Sequence, residues 1–197
     1  MPASNPARLD RRAGATIPAL LGLSLGCAAA LHPGAFDSSP PSLDPLAFFA
    51  GRTHPWAMLQ NGSGAPVRRI EVSGAGVRLS DGALRLDQTT VSEGKSDPRR
   101  WLIRKVDAHR YEASLTDAAG PVRGEAYGNL LHLKYAAKGK PGVTVEQWLY
   151  LQPDGRTVLN EDVMSAFGIV LFRLSELITH EGGSSALPGA QLGPSLP

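Results

Sequence analysis

The stretch VRLSDGALRLDQTTV, Val77–Val91, decides the fold. Asp81-Gly82 sits between alternating apolar residues, a short-range signature of a β-hairpin, because the turn needs a residue that tolerates positive φ. Leu84 and Leu86 fall on one face and Arg85 and Asp87 on the other, the period of two expected of a half-buried strand. Upstream, Val67–Ser73 reads as a strand ended by Gly74-Ala75-Gly76, with Val77–Ser80 as the next. Downstream, Glu93–Arg100 reads as a polar turn, followed by strands over Trp101–Val106 and Tyr111–Thr116 and a break at Gly120-Pro121. Tyr127, Asn129, Leu131, Leu133 and Tyr135 alternate as one long strand. A turn at Lys138–Gly142 leads to Val143–Leu151, and Gln152–Gly155 to Val158–Met164. In the last segment, Ile169–Ile178, a helical stripe through Val163, Phe167, Val170, Leu174 and Leu177 competes with a strand; Gly168 and the β-branched residues favour the strand. Short strands joined by closely spaced turns predict an all-β protein. An up-and-down antiparallel β-barrel of roughly eight to ten strands is the simplest topology, since closure removes exposed edges.

The ends read differently. Arg8, Arg11 and Arg12 precede an uncharged run, Ala13–Leu25, that ends at Gly26-Cys27. Residues 1–27 therefore read as a signal peptide of lipoprotein type, with Cys27 the lipidation site and a membrane reached through that lipid anchor. Cleavage near Ala28–Ala30, which discards Cys27, is the alternative. Either way the chain is exported, to a bacterial periplasm or cell envelope. Residues 28–45 read as a tether rich in Pro, Ser and Ala, residues 46–180 as the barrel domain, and 181–197 as a disordered Gly/Pro-rich tail.

The net charge is +2, and without its first 27 residues the chain is formally neutral. A neutral body gives no electrostatic drive toward nucleic acid. Cys27 is the only cysteine, so no intramolecular disulfide can form. His32, His54, His109, His132 and His180 are scattered without metal-ligand spacing. Neither a phosphate loop nor a nucleophile elbow is present, and no cofactor, metal or catalytic residue is assigned.

Four stretches resemble a bacterial family, domain of unknown function 3833, of lipocalin-like character. They are FFAGRTHPWAMLQNGSGAPVRR (Phe48–Arg69), RRWLIRK (Arg99–Lys105), GEAYGN (Gly124–Asn129) and EQWLYLQPDGRTVLNEDVMSAFG (Glu146–Gly168). With their spacing they cover Leu46 to Leu177. The resemblance implies an envelope lipoprotein and points to lipid. The chain departs from the family pattern at Ala57, where a glycine follows the tryptophan, at Gln147, the second position of an acidic pair, and at Ala166, where a basic residue is usual. Gln147 puts carboxylate-dyad chemistry in doubt.

Candidate ligand-binding residues are Trp56, Trp101 and Trp148, as cavity-lining aromatics, with Asn129, Asn160 and Glu146 as polar contacts. Gln88 and Thr90 share the otherwise apolar faces. A barrel of this size encloses side chains or one small ligand. The expected function is a binding module for a lipid or another small hydrophobic molecule. The alternatives are a structural or interaction domain with a filled barrel, and a small lipid-acting enzyme that uses Glu146 or a nearby histidine as acid or base, a reading that needs a cavity with Glu146 in reach of His132 or Arg100.

Overall fold

A computed structural model describes residues 32–182. Ten strands run in chain order: β1 (Gly51–Asn61), β2 (Pro66–Arg78), β3 (Leu84–Ser92), β4 (Lys95–Lys105), β5 (Arg110–Leu115), β6 (Val122–Tyr127), β7 (Leu130–Ala136), β8 (Val143–Leu151), β9 (Thr157–Ala166) and β10 (Ile169–Glu181). Each pairs antiparallel with the next, and β1 pairs with β10 from Arg52↔Glu181 to Asn61↔Phe172, closing the barrel. The all-β barrel expected from the hairpin signals is what forms. The last segment is strand throughout, and the helical alternative is not adopted.

Four differences from the sequence reading have physical causes. β1 was not recognised, because Pro55 lies inside it; its ladder with β2 skips His54 and Pro55, where proline offers no N–H. Gly74-Ala75-Gly76 does not end a strand, since β2 runs through it. A Cβ on Gly76 would lie 1.7 Å from the Phe49 carbonyl oxygen, and one on Gly74 would lie 2.4 Å from Thr53 Oγ1, so these glycines let a neighbouring segment approach. The polar turn before Trp101 shrinks to Glu93-Gly94, both at positive φ, and β4 already begins at Lys95. The alternation from Tyr127 to Tyr135 belongs to two strands, joined at Gly128-Asn129 with Gly128 at φ 51°.

The stretch read as a tether also carries structure. Pro33–Phe36 forms a 3-10 turn, and the Phe36 ring lies 5.7 Å from that of Tyr150. The Leu43 amide donates to the Gly128 carbonyl at 2.7 Å, and its side chain is buried. A one-turn helix, α1 (Pro45–Phe48), follows; Asp44 caps it by accepting from the Leu46 amide at 2.9 Å, and Pro45 occupies the first helical position. Leu46, Phe48 and Phe49 join the core with Leu84, Ile103 and Val122, so this segment closes one end of the barrel. The stretch 1–27 read as a signal peptide, with Cys27, the first residues of the expected tether and the expected tail beyond Gly182 lie outside the described residues.

Candidate functional site

Alternation decides which side chains enter the lumen. β8 turns Val145, Gln147 and Leu149 inward, and β9 turns Val158, Asn160 and Asp162 inward. β10 adds Leu174, Glu176 and Ile178. From the far wall β3 contributes Leu86, Gln88 and Thr90, and β4 contributes Arg99, Trp101 and Ile103. These residues line an interior cavity of about 100 Å³. It is apolar toward Pro45 and Phe49, at the closed end, and more polar toward Thr90, Arg99 and Asp162.

The polar groups pair along the wall. Gln147 Nε2 donates to Asp162 Oδ2 at 2.9 Å, and Asn160 Nδ2 donates to Glu176 Oε2 at 3.0 Å. Trp101 Nε1 donates to Gln88 Oε1 at 2.8 Å, and the indole meets the Tyr135 ring edge-on at 6.0 Å. β4 and β9 lie five strands apart in the ten-strand ring, so Arg99 faces Asp162 across the lumen. Its Nε lies 3.5 Å from Asp117 Oδ2. Enclosure pushes the Asp162 carboxyl up to about 8, and the charge of Glu176 adds to this, against the opposing pull of Gln147, Asn160 and Arg99. Burial raises Glu176 as well. It also raises the Tyr135 phenol, with the charge of Asp162 acting in the same direction. Gln147 engages Oδ2, which leaves Oδ1 as the Asp162 oxygen turned to the lumen. That atom and Asn160 Oδ1 are enclosed and have no hydrogen-bond partner among the described residues. Arg99 Nε is likewise enclosed without a hydrogen-bond partner, so the lumen presents two unsatisfied oxygens and one guanidinium N–H inside an otherwise largely apolar wall.

Of the six candidates read from the sequence, Trp101 and Asn160 line this cavity and four do not. Trp56 is 64% exposed on the outer face of β1, opposite Leu177. Glu146 and Trp148 share the outer face of β8, with the parity opposite to Gln147. There His132 Nε2 lies 2.8 Å from Glu146 Oε1, Lys134 Nζ lies 3.6 Å from its Oε2, and the imidazole packs 4.2 Å from the Trp148 ring. Glu146 does reach His132, but on the outer wall, away from the lumen. A shallow depression of about 480 Å³ passes His132 and Lys134 on that wall. Asn129 holds the β6–β7 turn by donating from Nδ2 to the Leu151 carbonyl at 3.1 Å. Gln88 and Thr90 do line the cavity. Arg99, Asp162 and Glu176 were missed, and Gln147 was read only as a departure. Among the described residues no three His, Cys, Asp or Glu side chains converge to hold a metal ion.

The chain belongs to the family described as protein of unknown function DUF3833, which matches residues 21–180. No curated protein matches it in sequence. Its fold is similar to that of an S-type phycobiliprotein lyase from Guillardia theta, with TM-score 0.55 and 6% identity over 70% of this chain and 91% of that one. It is also similar to a protein of unknown function from the DUF3598 family of Nostoc punctiforme, with TM-score 0.53 and 10% identity over 72% of this chain and 50% of that one.

Proposed function

We propose that this DUF3833 barrel binds one small, largely apolar molecule in its lumen, through a polar head that both donates and accepts hydrogen bonds. The observation that carries the reading is the pair of enclosed oxygens, Asp162 Oδ1 and Asn160 Oδ1, left without protein partners beside the cavity. Buried polar atoms are nearly always hydrogen-bonded, and an apolar pocket with a few convergent polar groups is the usual form of a ligand site. A hydroxyl or an un-ionised carboxylic acid satisfies both groups at once. The volume limits the size. A cavity of roughly 150 Å³ accepts benzene, so about 100 Å³ encloses a smaller group, such as a short chain segment. A longer acyl tail projects from the lumen. The same small volume supports a second reading, a filled scaffold, because ligand sites more often span about 300–1,000 Å³.

Native mass spectrometry of the purified full chain, with organic extraction, separates the two. A stoichiometric adduct, lost in Ala113→Phe while far-ultraviolet dichroism is retained, supports the binding module. An apo mass with no uptake from a mixture of short-chain acids and alcohols overturns it in favour of the scaffold. The location is part of the same proposal: an exported protein held at a membrane through acylated Cys27. An intact mass of the mature chain from a producing bacterium tests it. A diacyl or triacyl adduct on a chain starting at Cys27 supports the anchor, and a bare chain starting near Ala28–Ala30 removes it.

A further inference from the structure

We infer that the barrel end opposite α1 docks on an anionic lipid bilayer, with the β9–β10 hairpin inserted into its surface. α1 closes one end, so the five odd-to-even hairpins, from β1–β2 to β9–β10, all lie at the other. The β9–β10 turn is Phe167-Gly168. Phe167 has φ 51°, a conformation that glycine or asparagine adopts more cheaply. Its ring rests against Gly142, yet the residue stays 88% exposed. Ile169 is 68% exposed, and Leu171 and Phe172, at the register shift that follows it in β10, are 37% and 41% exposed. Solvation explains none of these four side chains. Several exposed apolar side chains gathered at one end of a barrel mark a contact surface.

Charge selects the occupant. The neighbouring β7–β8 turn carries Lys138 and Lys140, and Arg173 follows Phe172. All three are exposed, and none makes an ion pair among the described residues. Of the carboxylates toward this end, Glu93 lies 3.4 Å from Arg68 and Asp117 lies 3.5 Å from Arg99, Asp97 on β4 makes no ion pair among the described residues, and Asp162 is enclosed in the lumen. Apolar side chains flanked by cations that make no ion pair among the described residues complement lipid headgroups of negative charge above an apolar interior. This docking is independent of what the lumen holds.

The test places an environment-sensitive nitrobenzoxadiazole label at Ile169→Cys in the full chain carrying Cys27→Ser, with Val77→Cys at the opposite end as the second site. Vesicles are phosphatidylcholine alone or equimolar with phosphatidylglycerol. The expected result is a blue shift and quenching by doxyl lipids at position 169 with anionic vesicles only, and no change at position 77. Lys138→Glu with Lys140→Glu weakens the response about tenfold or more. An unshifted label at 169 overturns the inference, including when the chain is held by its leader, since that contact leaves the tip in water. An equal response at both positions, or to uncharged vesicles, overturns it too.

Discussion

Trp56 and Trp101 carry the same side chain with opposite consequences, because strand parity sends one into water and the other into the lumen. The apolar positions Ala57 and Leu59 already put Trp56 on the outer face, and Val145, Leu149 and Leu151 do the same for Glu146 and Trp148. That alternation is legible in the sequence itself. Trp56→Ala is therefore expected to change stability by no more than about 0.5 kcal/mol, whereas Trp101→Ala is expected to cost about 3–5 kcal/mol. Urea denaturation checks both. What parity cannot supply is which inward polar residues meet across strands, and so the pairings of Gln147 with Asp162 and Asn160 with Glu176 become visible only in three dimensions. Asp162 gives a pH prediction. Its carboxyl rises from 3.8 to about 8 on folding. The folded chain thus keeps a proton that the unfolded chain releases, and stability falls as pH rises from about 4 to about 8, then levels off. Asp162→Asn preserves an acceptor for Gln147 and removes the enclosed charge. Its melting temperature is expected to match wild type near pH 5 and to exceed it at pH 9, by an amount equivalent to about 3 kcal/mol. A constant offset between the two across that range would contradict this assignment of the proton.

At the level of elements, the hairpins at Asp81-Gly82 and Asp154-Gly155 were legible because their turn chemistry is local. β8 was legible to the residue, since its alternation is unbroken over Val143–Leu151. β1 and β2 were obscured by residues whose reason is not local. Pro55 is tolerated where the ladder to β2 lapses, and Gly74 and Gly76 answer to Thr53 and Phe49, more than twenty residues away. A glycine that permits close approach looks in sequence like a glycine that ends a strand. Substitution separates the two meanings. Gly76→Ala forces a methyl group onto the Phe49 carbonyl and is expected to cost about 3 kcal/mol, the upper range for an overpacked core. Gly120→Ala meets nothing within 4 Å and is expected to be neutral or slightly stabilising. Equal midpoints for the two variants in a denaturant melt would mean that β1 and the cap are not held against β2 as described.

For the whole molecule, the strand order follows the chain order, so nine of the ten strand pairings join consecutive strands and only the β1–β10 seam is distant in sequence. A hairpin closes a loop of a few residues, whereas the seam joins Ala57 to Glu176 and Pro55 to Ile178 around the entire barrel. Loop-closure entropy grows with length and must be met before those contacts contribute. The seam is therefore expected to form last, once the meander has curled enough to bring its edges together. Ile178 and Ile103 are both buried, at 3% and 6% exposure, and each loses one methylene on change to valine. The expected equilibrium cost is similar, about 1 kcal/mol, but the kinetics differ. Ile103→Val lies on β4 between consecutive partners and is expected to slow folding, with a φ-value about 0.5 or above. Ile178→Val is expected to leave the folding rate unchanged and to speed unfolding several-fold, since its contacts are absent from the transition state. Stopped-flow chevrons measure both arms. A high φ-value at Ile178 would mean that closure precedes hairpin formation, and that the cap segment, which packs beside the seam, organises the barrel from its closed end.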